Sequence, residues 1–153
     1  MSKRFYIITF ILLIFLGLAG FAFIRFGYFP VVIVNSKFLS ENRYNRVLEA
    51  NLRSLSGDAE VGHNEIKKLS LQQMIEDELI YSEAVGRLGE NIRKIEEPGR
   101  VRAMLADNLR AEKVIFDDWL HLARSNARVI ILVSDFSWQN GKVIADCGSK
   151  NIC

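Results

Sequence analysis

Two histidines, two cysteines and two acidic clusters are the groups in this 153-residue chain that could support chemistry. A serine or cysteine nucleophile needs a base beside it and a third group that orients the base. His63 lies in a polar, glycine-containing stretch and His121 on the polar side of a predicted helix, whereas both cysteines lie near the C-terminus. The sequence therefore predicts solvated histidines without a nucleophile beside them, and we expect no enzyme activity.

The acidic clusters are Glu76-Asp77-Glu78 and Asp117-Asp118. Consecutive residues of a helix point about 100° apart, so their carboxylates cannot converge on one metal ion. We interpret both clusters as solvated helix surface. The glycines also lack the strand-to-helix setting and spacing of a phosphate-binding loop. We therefore expect no metal and no cofactor.

The two cysteines, Cys147 and Cys153, lie in the terminal stretch CGSKNIC. In an oxidising compartment they could close a small disulfide ring. In the loop-entropy model such a ring stabilises the folded state by roughly 2 kcal/mol. The alternative is a pair of free thiols in a C-terminal tail. Both interpretations stay open, and neither makes this pair responsible for the fold.

The chain opens with an uncharged apolar stretch over residues 5–24, FYIITFILLIFLGLAGFAFI. A helix of that length covers roughly 30 Å, the thickness of a bilayer's hydrocarbon layer. A retained anchor and a cleaved signal peptide compete, because Lys3 and Arg4 precede the stretch. Signal-peptide cores usually have about 7 to 15 apolar residues, so the longer stretch favours the anchor. We predict a transmembrane helix at residues 5–24, after a cytoplasmic segment at residues 1–4.

Basic residues beside that stretch set its predicted orientation. Lys3 and Arg4 outnumber Arg25 on the other side, which places the N-terminus in the cytoplasm by the positive-inside rule. We therefore expect a single-pass protein of the cytoplasmic membrane, with the lipid bilayer as a partner and residues 26–153 in the periplasm or another extracytoplasmic space. The other charges alternate in sign, so no nucleic-acid partner is expected.

The elements that must position any functional residue follow from hydrophobic periodicity. Apolar residues recur at helical spacing in three segments, and short apolar strands lie at both ends of the remaining chain. The helices are predicted at residues 41–55, 65–88 and 101–123, and the strand segments at residues 31–34, 128–133 and 135–146. Asn140-Gly141 predicts a hairpin turn within the last segment, and we expect the first strand to pair with one of the C-terminal strands.

The predicted fold class is therefore α+β, with one N-terminal transmembrane helix followed by a mainly helical domain. That domain spans residues 30–146 and contains about three helices and a small antiparallel sheet, formed by its N- and C-terminal strands. Residues 147–153 form a tail after it.

Two stretches carry a resemblance to a known family: VVIVNSKFLSENRYNRVLEANL at residues 31–52 and LQQMIEDELIYSEAVGRLG at residues 71–89. Together with the late helix and strand, they resemble the N-terminal domain of the SurA family of periplasmic chaperones and membrane-tethered foldases. Val34-Asn35 matches the turn after that family's first strand, whereas Ser36-Lys37 lacks the family's glycine. The matching positions in the second helix are Leu71, Met74, Ile75, Glu78, Leu79, Glu83, Ala84 and Gly89.

The resemblance implies a domain that shields unfolded or membrane-emerging polypeptides in an apolar groove between helices. Many relatives also carry a parvulin-type prolyl isomerase domain after these helices. Only residues 89–100 separate the second predicted helix from the third, which is too short to hold that domain. We therefore expect a membrane-anchored, extracytoplasmic, chaperone-like module that binds polypeptides without catalysis.

Apolar side chains of the third predicted helix are the candidate polypeptide-binding residues. Phe116, Trp119 and Leu120 fall on its apolar face, although a small domain also needs aromatic residues to fill its core. The alternative function is a structural adaptor that docks on one membrane protein complex, with small residues of the apolar stretch serving helix packing. Pairing of two copies through the apolar face would give a homodimer.

Overall fold

The computed structural model describes residues 9–17, 20–21, 29–55, 62–95 and 97–146. Its described residues from 29 onward form an α+β domain of helices and small antiparallel sheets. The α-helices are α1 (Glu41–Leu55), α2 (His63–Leu88), α3 (Pro98–Ala111) and α4 (Phe116–Asn126), with a 3-10 helix at Glu90–Lys94. The strands are β1 (Pro30–Val34), β2 (Lys37–Ser40), β3 (Val129–Ile131), β4 (Phe136–Gln139) and β5 (Lys142–Ala145).

The structure differs from the sequence prediction most clearly at the predicted membrane span. Residues 9–17 and 20–21 are helical and exposed. Across the described parts of the chain, no helix combines the length and apolar character needed to cross a membrane. The transmembrane helix predicted at residues 5–24 is therefore wrong as part of the fold class, and so is the single-pass, extracytoplasmic localisation derived from it. Residues 5–8, 18–19 and 22–24 lie outside the described residues.

The strands form two antiparallel sheets, of which one joins the two ends of the domain. β1 lies at the centre of a three-stranded sheet in the order β2-β1-β3, and β4 pairs with β5. The expected pairing of the first strand with a C-terminal strand is confirmed, because Val32 lies opposite Ile131. The predicted hairpin is also confirmed, with Asn140 at φ 50° and Gly141 at φ 78° in its turn. A β-carbon on Gly141 would lie 3.1 Å from the Cβ of Arg124, so glycine also permits close packing there.

A second hairpin was not predicted from the sequence. β1 turns directly into β2 through Asn35 and Ser36, which have φ values of 46° and 72°, and Val34 pairs with Lys37 across the turn. Two positive φ values are the signature of the type I′ turn, whose twist matches paired strands. Asn35 tolerates this region and is held by Arg128, whose backbone N–H donates to the Asn35 side chain at 2.9 Å. Ser36 has no comparable reason to adopt it.

Replacing Ser36 with glycine is therefore expected to raise the free energy of unfolding by about 0.5 kcal/mol. The left-handed region costs a non-glycine residue roughly 1 kcal/mol, and the extra freedom of glycine in the unfolded chain offsets part of the gain. The change is measured as the midpoint of urea unfolding at a constant m value. The matched control is Asn45→Gly, at an exposed position in the middle of α1, which should lower stability because glycine disfavours a helix interior. A lower midpoint for Ser36→Gly would contradict the strain at this turn.

α2 is the central element of the domain. Its buried residues occupy more than one side, as the two apolar rows of this helix predict. Its N-terminal half packs with β1, α1 and the β4-β5 hairpin, and its C-terminal half packs with the 3-10 helix, α3 and α4. The domain therefore has two neighbouring apolar clusters, and α2 contributes to both.

The third predicted helix is in fact two helices. Lys113 adopts φ 61°, and the N–H of Val114 donates to the carbonyl of Leu109 while that of Lys113 donates to Arg110. This pair of hydrogen bonds is the Schellman motif, which normally places glycine in the left-handed position. Because lysine occupies that position here, the sequence carried no stop signal. The break at residues 112–115 separates α4 from α3, and one face of α4 is exposed.

Candidate functional site

The α4 strip is an exposed row of apolar side chains formed by Val114, Ile115, Trp119 and Leu122. The last three have the spacing i, i+4, i+7, so they share one side of the helix. Ile115 is 65% exposed and Leu122 is 60% exposed, while Trp119 is half-buried. On the opposite side of α4, Leu120 is 5% exposed and anchors the helix in the core. One apolar side thus fixes the helix and another faces outward.

The three predicted binding residues lie in different environments. Phe116 and Trp119 pack together, with ring centroids 5.6 Å apart, and both are partly buried against the second core cluster. Leu120 belongs to that cluster and offers no accessible surface for a polypeptide. Sequence reasoning missed Leu122, although in a single helix over residues 101–123 it would lie at the edge of the apolar face, at the same angle as Met104 and next to Ile115.

A cavity of about 390 Å³ lies between α2 and α4, beside one end of the strip. Trp119 and Leu122 line it from α4, and Leu79 and Glu83 line it from α2. Asn35, from the turn between β1 and β2, also reaches it. This α2–α4 cavity therefore combines an apolar wall with a polar rim, and it is open to one end of the strip.

A second cavity, of about 410 Å³, lies at the corner where α3 turns into α4. Val114, Ile115 and Phe116 supply its apolar lining, and Arg110 and Lys113 lie on its rim. The Arg102 guanidinium lies 5.7 Å from the centre of the Phe116 ring, within range of a cation–π interaction. The α4 strip thus runs from this corner cavity to the α2–α4 cavity.

The acidic cluster at residues 76–78 is not solvated surface, so that interpretation is wrong. Glu78 is 5% exposed, and the Glu76 side chain is 13% exposed. As helix geometry requires, the three carboxylates do not converge on one point: Glu76, Asp77 and Glu78 face three different sets of neighbours. Two of them connect elements of the fold, and the third faces a cavity.

Glu76 and Gln72 attach the C-terminal hairpin to α2. The Glu76 carboxylate lies 2.7 Å from the Arg124 guanidinium and accepts a 2.7 Å hydrogen bond from Gln72. Gln72 in turn accepts a 2.8 Å hydrogen bond from the backbone N–H of Val143 in β5. These contacts connect α2, α4 and β5 in one polar network.

Glu78 connects α2 to the N-terminal part of the domain. Its carboxylate lies 2.8 Å from the guanidinium of Arg43 in α1 and 3.1 Å from the ammonium of Lys37 in β2. Two cations on different elements therefore share one buried anion. This carboxylate therefore connects α1, α2 and β2. Its contacts are charge-assisted hydrogen bonds, which are stronger than neutral ones.

Asp77 differs from its two neighbours because it has no direct partner. Among the described residues, none forms a hydrogen bond or an ion pair with its carboxylate, which lines a cavity between α1, α2 and the start of α3. Burial raises the pKa of the Asp77 carboxyl, Glu76 and Glu78 add to the rise, and the charges of Arg102 and Arg43 oppose it. No sequence pattern predicted the burial of Asp77, because only the packing of α1 and α3 on α2 encloses it.

The two histidines are apart from these sites. His63 is exposed at the start of α2, and His121 is exposed on α4. In the described portion of the chain, no three His, Cys, Asp or Glu side chains are grouped so that they could hold a metal ion. Cys147, Cys153 and the predicted tail at residues 147–153 lie outside the described residues, so the disulfide stays a prediction.

Comparison with protein-family models, with curated proteins and with solved structures found no match. The resemblance to the SurA-type N-terminal domain therefore stays a prediction drawn from the residues quoted above. The described residues define an α+β domain with an outward-facing apolar strip and adjoining cavities.

Proposed function

We propose that this protein is a non-catalytic polypeptide-binding module, which holds apolar side chains of unfolded chains on the α4 strip. The observation that supports this most directly is the exposure of Ile115 and Leu122 on a helix whose other apolar side is already anchored in the core. Contiguous apolar surface of this kind typically marks an interaction site. The SurA-type resemblance implies the same activity.

The arrangement of cavities suggests what such a surface would accept. The strip joins two cavities of about 390 and 410 Å³, each large enough for one or two bulky side chains. Their rims carry both signs of charge, with Glu83 at one cavity and Arg110 and Lys113 at the other. A surface with apolar floors and mixed rims discriminates weakly between charged sequences. The occupant is therefore an unfolded segment with spaced apolar side chains.

The test is the ability of the full chain to delay aggregation of a chemically denatured client protein. The double variant Ile115→Ser/Leu122→Ser removes most of the exposed apolar area of the strip and leaves the core intact. At about 1 kcal/mol for each half-exposed side chain, we expect the concentration needed for half-suppression to rise roughly 30-fold. Circular dichroism establishes that the variant remains folded.

The matched control is Phe38→Ser/Ile130→Ser on the outer face of the three-stranded sheet. These side chains are 71% and 57% exposed, and both lie opposite Ile33 in the strand register. The control removes a similar amount of exposed apolar surface at another place, so client protection should be unchanged. Unchanged protection by the strip variant would overturn the proposal. If only the control variant lost its protection of the client, binding would be assigned to the sheet face. That result would favour the adaptor function.

A further inference from the structure

A third cavity, of about 330 Å³, lies on the other side of α2 from the α4 strip. Its floor is apolar, formed by Val47 of α1, Ile80 of α2, Val101 of α3 and the connecting residue Ile95. That volume is at the lower end of the range for small-molecule sites. The cavity therefore suits a compact ligand with an apolar part.

The polar groups of this cavity include one unpaired positive charge and one unpaired negative charge. Arg43 lines it but is committed to Glu78 at 2.8 Å. Arg46 and Asp77 also line it, and within the described parts of the chain neither forms an ion pair. They come from different helices, α1 and α2. Arg46 is exposed at the mouth of the cavity, whereas Asp77 is half-buried. A small ligand that paired with both would carry a carboxylate and an ammonium.

We propose that this cavity binds a free α-amino acid with an apolar side chain. The ligand's carboxylate pairs with Arg46, its ammonium pairs with Asp77, and its side chain lies on the floor made by Val47, Ile80 and Val101. An ammonium at Asp77 supplies the partner that this partly buried carboxylate lacks. This site is independent of the α4 strip, because the two use different faces of α2.

The first experiment is calorimetric titration of the full 153-residue chain with leucine and three truncated analogues. Isocaproate keeps the carbon skeleton and carboxylate without the ammonium, isoamylamine keeps the ammonium without the carboxylate, and glycine keeps both charges without the side chain. Each analogue lacks one charge-assisted contact or the buried apolar side chain, and each of these contributes appreciably to binding. We expect each analogue to bind at least about tenfold more weakly than leucine.

Variants of Arg46 and Asp77 then test which residue recognises each charged group of leucine. Arg46→Gln and Asp77→Asn should each weaken leucine binding by about tenfold or more. Asp77→Asn should not weaken the binding of isocaproate, because that analogue has no ammonium for Asp77 to recognise and its carboxylate is repelled by the Asp77 charge. Arg53→Gln is the matched control, since Arg53 is an exposed residue of α1 that pairs with Glu49 outside the cavity. Its leucine affinity should equal that of the unmodified chain.

Three results would overturn the proposal. Isocaproate binding as tightly as leucine would show that Asp77 recognises no ammonium. Glycine binding as tightly as leucine would show that the apolar floor is unused. Absence of heat and of any amide chemical-shift change with leucine, isoleucine, methionine and phenylalanine would show that the cavity binds no apolar amino acid.

Discussion

Replacing Leu71 with alanine is expected to lower the free energy of unfolding by about 3 kcal/mol. Leu71 is fully buried in α2 and belongs to the cluster that includes β1 and the β4-β5 hairpin. Its truncation removes apolar contacts and leaves a cavity that helices and strands on several sides cannot all close, which costs about 2–5 kcal/mol in comparable cores. Urea unfolding followed by circular dichroism measures the change.

Leu69→Ala is the control that separates burial from helix propensity. Leu69 is two residues away in the same helix and is 44% exposed, so both variants change helix propensity equally. We expect the control to lower stability by roughly 0.5 kcal/mol or less, as exposed substitutions usually do. Equal losses for the two variants would contradict the assignment of Leu71 to the centre of the core.

Replacing Glu78 with alanine is expected to lower the free energy of unfolding by about 2 kcal/mol. The carboxylate is buried, and its loss leaves the cations of Arg43 and Lys37 without their shared anion. Breaking a fully buried pair costs about 3–5 kcal/mol. The expected loss is smaller because the Arg43 and Lys37 side chains are 35% and 52% exposed and can turn to water.

Glu65→Ala provides the comparison for an ordinary surface ion pair. Glu65 is in the same helix, is 53% exposed and pairs with Lys68 at 3.0 Å, so its loss should cost at most about 0.5 kcal/mol. Combining Glu78→Ala with Arg43→Met then measures the coupling between the buried partners as a double-mutant cycle. A Glu78→Ala protein as stable as the unmodified chain would show that desolvation of this carboxylate cancels its attraction to the cations.

The candidate site followed from the sequence only in part. The helical spacing of Phe116 and Trp119 indicated an apolar face, and both residues do border cavities. That spacing could not separate the buried Leu120 from the exposed Leu122, because which side of a helix meets the core depends on where the helix is placed. The break at Lys113 decides that placement. A helix end of the Schellman type is usually indicated by glycine in the left-handed position. Here lysine occupies that position, so the sequence does not indicate the helix end.

The acidic cluster shows that the partners of charged residues were also beyond what the sequence could predict. Helix geometry alone established that Glu76, Asp77 and Glu78 would face different directions, and they do. It did not establish what would lie in those directions. Arg124, Arg43 and Lys37 come from other helices and strands, so burial and pairing of the carboxylates required the complete packing.

By itself, the sequence determined the elements whose signals are local. Periodicity gave α1 and α2, Asn140-Gly141 gave the β4-β5 turn, and the apolar run at residues 31–34 gave β1, because each depends on neighbours a few residues apart. The apolar composition at residues 5–24 also suggested a membrane helix that the described residues do not form. Only the tertiary structure decided the break between α3 and α4, the exposure of the α4 strip and the enclosure of Asp77. The exposure of the strip and the enclosure of Asp77 depend on contacts between segments far apart in the chain, and no local pattern encodes such contacts. The break itself is a local Schellman turn, but lysine instead of glycine occupies its left-handed position, so no sequence signal marked it.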